Sequence, residues 1–463
     1  MIAAIGKSWG QLVLHSKESA LDYIFRTRRR LDDAPRGLDE NTRDTATTRK
    51  LLRLANLPAA PCEFVVITGS RGKGSVASIM AKLLEALGYR VGLLTSPHLV
   101  HWNERIRVNG HMIPNDDFLR IIDDLRPHID SVTVGLQERG YLSPQGIFLA
   151  MALQYFAEKR VEIAVLEVGR GGRFDDIAVV PNRLAVIAPI LLEHTALLGD
   201  TLERIAWHKA GIIPSDGIAL SAAQRSEAEA VLRREAGLQG ARIRFLNEAD
   251  RAKWLADVDD GQLIRLGPYG ELLLPLLGRY QIENASLAIR AVEILQARLS
   301  ASSLEDERYI ESIRSGLTRV KWFGRVQKLD QEPPIYVDGA ITVPSAESFI
   351  ASVRPRLSEP VTAIVGVPRD RDFSGVYQVM ARVSRKLIIT ETDINPNTTF
   401  PSREDALRAA QALHADATHT DSLRDALDLA REFAGESGTI LLAVSLMLVG
   451  ECMLIWNVDT SQI

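Results

Sequence analysis

The sequence predicts an α/β protein: a larger domain with a mainly parallel sheet and a phosphate-binding loop, followed by a smaller open α/β domain. Three observations carry this. An apolar β-type run opens into a glycine-spaced loop and then a helical period, VVITGSRGKGSVAS over residues 65–78. Further β-rich runs (VGLLT, EIAVLEVG, LAVIAPI) alternate with helical periods such as VASIMAKLLEALGY, the pattern of parallel strands joined by crossover helices on both faces. After a charged segment the alternation resumes with IYVDG, TAIVGV, KLIIT and TILLAV, separated by helical stretches from about Ser345, Ser374, Arg403 and Ser422.

Residues 1–60 read as a helical leader packed on the next domain. LDYIF sets Leu21, Ile24 and Phe25 on one face, and LLRLANL does likewise before Pro58 and Pro61 stop the helix. The run Arg26, Arg28, Arg29, Arg30 is followed by Asp32 and Asp33, which suits a solvated helix end. Residues 61–298 form the central domain, with a hairpin region near Asp257 to Gly261 and an amphipathic helix within LLGRYQIENASLAIRAVEIL. The charged stretch 299–325 reads as a hinge, and residues 326–463 as the second domain.

Composition narrows the function. With 463 residues the chain has ample core for two or three domains, and a net charge of −4 gives no reason to expect a nucleic-acid or anionic-membrane partner. Cys62 and Cys452 lie far apart without ligand-type spacing, which argues against a disulfide framework or a zinc site and suits a reducing cytoplasm. No apolar run approaches the roughly 18 residues that cross a bilayer, and MIAAIGKSWGQLVLHSKE lacks a signal-peptide core.

In the loop, Gly69, Gly72 and Gly74 allow positive φ and close backbone approach, so that N–H groups can turn toward an anion at the start of the next helix. Lys73 would meet phosphate oxygens and Ser75 a magnesium ion. The spacing departs from the common Walker pattern, and a glycine-rich turn without ligand is the alternative. Glu167 ends EIAVLEVG, where open α/β sheets place ligand-binding groups, although a solvated carboxylate reads equally well. His194, in LLEHTALLGD, is either a nitrogen donor or a structural histidine. Lys209, in IAWHKAGII, could take up carbon dioxide in its neutral form to give a carbamate ligand, or snorkel to the surface.

Taken together, TGSRGKGS, LLTSPHL with NERIRVNG, LEVGRGGRFD, EHTALLGDTLERIAWHKAGII, GRYQIENA, WFGR and DGA resemble, in order and approximate spacing, the folylpolyglutamate synthase/dihydrofolate synthase family of Mur-type ligases over roughly residues 50–450. The resemblance implies a Mur-ligase-like P-loop ATPase domain and a Rossmann-like C-terminal domain. It implies a phosphate loop of Gly69, Ser70, Arg71, Gly72, Lys73, Gly74 and Ser75, with magnesium held by Ser75, Glu167, His194 and Lys209, the last as a carbamylated lysine. It further implies that Asn284 meets adenine, Asp338 ribose, and Arg325 phosphate from the second domain, with Lys73, Lys209 and Arg325 taking part in catalysis. Ser96, Pro97, His98, Arg173, Asp175 and Ser445 would border the substrates. The implied reaction uses ATP and Mg²⁺ to turn a small carboxylic acid into an acyl phosphate, which the amine of glutamate or another amino acid attacks. Closure about the hinge would shield that intermediate from water.

Several positions depart from the family pattern. Arg71 stands where the family has Asn, and Ile341 and Thr342 where it has His and Asn, while Ala443 and Val444 precede the retained Ser445. On the acid side, Asp175, Asp176, Ile177 and Ala178 replace DATN, and Ser143, Pro144, Gln145 and Gly146 replace a phenylalanine-rich segment. These changes predict an altered acid substrate; a true folate ligase and a non-catalytic nucleotide-binding paralogue are the alternatives.

Overall fold

The computed structural model describes residues 16–29, 37–58, 60–136, 140–259, 261–300, 303–394 and 398–463. Packing divides the chain into two units, each continuous in space and interrupted in sequence: residues 1–73, 89–96 and 105–244, and residues 74–88, 97–104 and 245–463. This partition differs from the boundaries read along the chain at 60, 298 and 325, which follow sequence order.

The first unit is built on an eight-stranded sheet in the order His111–Met112, Ile106–Val108, Val91–Leu94, Ile163–Glu167, Glu63–Thr68, Leu184–Ile187, Ile218–Ser221, Arg242–Phe245. From Val91–Leu94 to Ile218–Ser221 the pairing is parallel; the edge formed by Ile106–Val108 and His111–Met112 is antiparallel. The central strands are buried along their length, as continuous apolar runs in a sheet covered on both faces should be. Register sets Ile67 beside both Glu167 and Val186, so the strand that feeds the phosphate loop ends level with Glu167. Helix Pro144–Glu158 starts cleanly, because Ser143 accepts the Gln145 N–H at 3.2 Å and Pro144 needs no donor in the first turn.

The leader is helical where it is described, at Lys17–Arg29, Asp39–Thr42 and Ala46–Leu54; residues 1–15 and 30–36, with Arg30, Asp32 and Asp33, lie outside the described residues. Its first helix buries Ile24 as expected, together with Ala20, Tyr23 and Thr27, while the expected Leu21 and Phe25 are half-buried. The face is turned toward Tyr23 because that side chain finds a partner: its hydroxyl donates to Asp130 Oδ1 at 2.7 Å, and Arg26 lies 3.5 Å over its ring. Arg26 also pairs with Asp130 at 2.6 Å with only 8% of its side chain exposed, so this part of the arginine run is not a solvated end.

The second unit contains a three-stranded antiparallel sheet (Gly270–Leu274, Gly261–Leu266, Lys253–Val258), helix Tyr280–Leu299, and a six-stranded sheet. That larger sheet has the order Gln327–Gln331, Pro334–Asp338, Thr439–Val444, Val361–Gly366, Lys386–Thr390, Thr418–Thr420, parallel except for the first pair. Helices Val343–Val353, Phe373–Ala381 and Arg403–Gln411 pack on one face, and Leu423–Ala434 and Leu446–Ile455 on the other. The expected smaller doubly wound domain is present. Cys62 and Cys452 are both free, and among the described residues no helix is long and apolar enough to cross a membrane.

The expected hinge is partly a packed element. Helix Glu307–Thr318 buries Tyr309, Ile313, Gly316 and Leu317, a helical stripe whose signal was hidden by the charged residues around it. Gly316 faces Leu83 and Ala86, and Arg314 Nε donates to Tyr269 O at 2.8 Å. Truncation by Ile313→Ala should therefore cost about 2–4 kcal/mol of stability, the range for emptying a core aliphatic site. Chemical denaturation measures it, and an unchanged midpoint would restore the simple linker.

Candidate active site

The phosphate loop leaves strand Glu63–Thr68 and enters helix Lys73–Ala86. Gly69 has φ +146° and Gly72 φ +82°, both in the region that favours glycine. A Cβ on Gly69 would stand 2.6 Å from Ala188 Cβ, so glycine is also demanded by close approach to the neighbouring strand's exit. Ser70 fixes the loop to the same exit. Its N–H donates to Pro189 O at 2.8 Å, and its hydroxyl accepts the Leu191 N–H at 2.9 Å.

Two ammonium groups meet on one carbonyl. Lys73 Nζ donates to Gly69 O at 3.0 Å and Lys209 Nζ donates to the same oxygen at 2.8 Å. Lys209 is 1% exposed, which excludes the snorkelling alternative. Burial, reinforced by repulsion from Lys73 and opposed by Glu193, lowers its pKa to about 8. Glu193 Oε1 accepts from Lys209 at 3.0 Å, and Lys209 and Lys73 together hold its carboxyl below the usual range against the opposing effect of burial.

Lys209 comes from the last turn of helix Leu202–Ala210, which Thr201 caps by accepting the Arg204 N–H at 3.2 Å. Two glycines bring this helix end against the loop that follows Glu167. A Cβ on Gly172 would lie 2.8 Å from both His208 O and Lys209 O, and one on Gly211 would overlap Arg173. Arg173 N–H donates to His208 O at 2.6 Å, while its guanidinium lies 4.6 Å over the Trp207 ring and pairs with Glu235.

Glu167 is 4% exposed and accepts the Ser96 N–H at 3.1 Å. His194 is exposed, and its φ of +48° is uncommon for a residue with a side chain. Asp175 is buried, and its carboxylate is taken up by Ile177 N–H, Arg170 N–H and Arg43. Among the described residues no three His, Cys, Asp or Glu side chains form a ready-made metal cluster. The expected set differs from such a cluster in drawing on a serine hydroxyl and a modified lysine.

The remaining expected residues belong to the second unit. Ser75 is buried in the first turns of its helix, Pro97 is exposed, and the His98 and Trp102 rings lie 4.2 Å apart. Asp338 Oδ2 accepts Val326 N–H at 2.8 Å and Tyr280 Oη–H at 3.4 Å, bringing Asp338, the Arg325–Val326 turn and the start of helix Tyr280–Leu299 together. Asn284 lies one turn along that helix and donates to Gln281 Oε1 at 2.9 Å. Arg325 Nη1 donates to Gly324 O at 3.2 Å. Ser445 starts helix Leu446–Ile455 beside this group, since Asp338 pairs in register with Ala443 and a Cβ on Gly339 would lie 3.0 Å from Arg325 Nη1 and 3.1 Å from Leu446; among the described residues its buried hydroxyl has no hydrogen-bond partner.

Residues 67–292 match the Mur ligase middle domain, and residues 324–446 the Mur ligase glutamate ligase domain. The dihydrofolate synthase/folylpolyglutamate synthase of Bacillus subtilis is 30% identical over 333 residues, which cover 71% of this chain and 76% of the relative. The chain belongs to the folylpolyglutamate synthase/dihydrofolate synthase family of Mur ligases. The folylpolyglutamate synthase of Lacticaseibacillus casei is also 30% identical, covering 72% of this chain and 78% of its own. A solved folylpolyglutamate synthase from Thermotoga maritima superimposes with a TM-score of 0.78 at 26% identity, over 95% of this chain and 97% of that one.

As a member of this ligase family the protein is an ATP-dependent enzyme that forms a C–N bond between an acid and an amino acid, and the non-catalytic alternative is set aside. Three features of the site escaped the sequence. Glu193 stood next to the chosen His194, and its charge was the available signal. Gln281, whose buried Nε2 has no hydrogen-bond partner among the described residues, sits one turn before Asn284. The bonds from Arg43 and Thr48 to Asp176 span more than 120 residues and left no local trace.

The close approach at Gly211 yields a direct check. Gly211→Ala should cost about 1–3 kcal/mol by overpacking and should disturb the Lys209 end of the helix. A thermal melt reports it, and wild-type stability would mean that the loop gives way freely.

Proposed function

We propose that this family member joins a folate-type carboxylic acid to the amine of glutamate through an acyl phosphate made from ATP. The observation that carries the chemistry is the convergence of Lys73 and buried Lys209 on the Gly69 carbonyl in a glycine-shaped loop. Phosphoryl transfer depends mainly on positioning and charge neutralisation, and two cations fixed on a loop of close backbone approach provide both. The names of the 30%-identical relatives support folate as the acid, and the matched glutamate ligase domain supports glutamate as the amine. They outweigh the altered acid expected from residues 143–146 and 175–178. The buried Thr48–Asp176 and Arg43–Asp176 bonds, which commit a residue of the second segment to the protein itself, favour a non-folate acid as the second reading.

Within this reading Gly69, Ser70, Arg71, Gly72, Lys73, Gly74 and Ser75 cradle the triphosphate, Asn284 meets adenine, Asp338 ribose and Arg325 phosphate. Ser96, Pro97, His98, Arg173 and Asp175 border the acid and Ser445 the amine. Nucleotide binding is assigned to the stretch 61–298 and ligation to 326–463, in sequence order.

Mg²⁺ would be held by Ser75, Glu167, His194 and Lys209 as its carbamate. Three of the donors suit a hard, oxygen-seeking cation, namely a buried hydroxyl, a buried carboxylate and a buried lysine that would offer carbamate oxygens, while exposed His194 would add a nitrogen. Bound there, the ion would neutralise charge on the phosphates during transfer.

The test of the whole reading is ADP release with a panel of acids and amines. Turnover with dihydropteroate or tetrahydrofolate plus glutamate is the expected outcome; turnover confined to other acids would move the assignment to the second reading. Lys73→Ala should lower kcat by about 10²–10³-fold while the melting temperature changes little, since its ammonium serves the transition state. Unaltered turnover would remove Lys73 from that role.

Carbamate formation carries a pH signature. Below about 8 Lys209 is mainly ammonium, and above it the amine is mainly neutral and can attack carbon dioxide. ¹³C-bicarbonate NMR should therefore show a carbamate signal that grows from pH 7 to pH 9 and is missing in Lys209→Ala. A flat, empty spectrum across that range would contradict the carbamate.

A further inference from the structure

The loop that follows Glu167 is fastened to the leader by a buried charge network. Arg43 Nη2 donates to Asp176 Oδ2 at 3.2 Å, and Nη1 donates to Asp175 Oδ2 at 3.4 Å and lies 3.8 Å from Asp39 Oδ2. Arg170 grips Asp39 with two bonds, Nε at 3.0 Å and Nη2 at 2.6 Å. Thr48 donates to Asp176 Oδ1 at 2.6 Å. Asp39, Asp175 and Asp176 are each at most 2% exposed, and Thr48 is fully buried.

These bonds have a direction. Asp175 organises its own loop by accepting Arg170 N–H at 3.2 Å and Ile177 N–H at 3.1 Å, and a Cβ on Gly169 would touch its carboxylate at 3.4 Å. Asp175 also accepts from Arg43, and Asp176, beside it, bonds Thr48 and Arg43 of the leader. Residues 169–176 thus have an internal brace and an external anchor. They leave the sheet at the carboxyl end of a central strand, immediately after Glu167, where parallel sheets present their ligand-binding groups. Gly146, from the other expected acid-side segment, packs directly on Thr48, so both segments meet that leader residue.

We infer that Arg43 is a positioning residue for the acid substrate: it anchors the 169–176 loop through Asp176 and thereby sets the acid-side wall without touching the phosphates. Arg43 supplies a planar fork that serves two carboxylates at once, which a lysine cannot reproduce. Removing it alone would leave three buried carboxylates facing one guanidinium, so a single variant would confuse loss of fold with loss of position. The double variant Arg43→Gln/Asp176→Asn removes one charge of each sign and leaves that balance intact.

The inference rests on the ligase reading, and the experiment keeps the two apart. Steady-state kinetics on wild type, Arg43→Lys and the double variant should show KM for the acid raised about ten-fold or more, with KM for ATP within about two-fold. Native hydrogen exchange, which needs no substrate, should show faster exchange at Arg170 and Ile177 N–H in the double variant. Unaltered exchange there, or parallel shifts in both KM values, would overturn the positioning role. Failure of wild type to turn over any acid would overturn the functional reading, and the exchange data would still decide the role of Arg43.

Discussion

The Gly69 carbonyl, shared by Lys73 and Lys209, is the constraint around which the first unit is arranged. Two ammonium groups on one oxygen repel each other, and burial of Lys209 strengthens that repulsion by excluding water. Glu193 offsets it from one side. A polyanion brought to the same loop would offset it further, so the strain of holding two cations together becomes attraction for phosphate once ligand is present.

Backbone proximity makes this arrangement possible. Gly69 lets the loop lie on Ala188, while Gly172 and Gly211 let the loop after Glu167 lie on the end of the Lys209 helix. Loops from the carboxyl ends of adjacent parallel strands are thereby drawn together, with no room for a side chain at Gly69, Gly172 or Gly211. The Thr68 hydroxyl ties two of them, donating to Gly171 O at 2.6 Å. The site is stiff because its parts are bonded through backbone, and the lysines reach into it from regular helices.

What was legible in the sequence was local. Alternating apolar runs gave the central strands of both sheets, and glycine spacing marked the phosphate loop. Lys209 was legible as a residue but not as an environment, because apolar neighbours along a helix do not say which face is covered. Helix Glu307–Thr318 was hidden by its charged face, and the short edge strands Gln327–Gln331 and Thr418–Thr420 by weak apolar content. The anchor from Arg43 to Asp176 could not be read at all, since its partners are brought together by the fold and not by any spacing.

The central claim is that the paired lysines serve transfer of a phosphoryl group to the acid. The most direct measurement uses an acid labelled with ¹⁸O in its carboxylate, together with ATP and the amine, and follows the label by mass spectrometry. Phosphoryl transfer to the acid delivers one labelled oxygen to inorganic phosphate for each amide formed. Label in AMP, or amide formation with unlabelled phosphate, would contradict it.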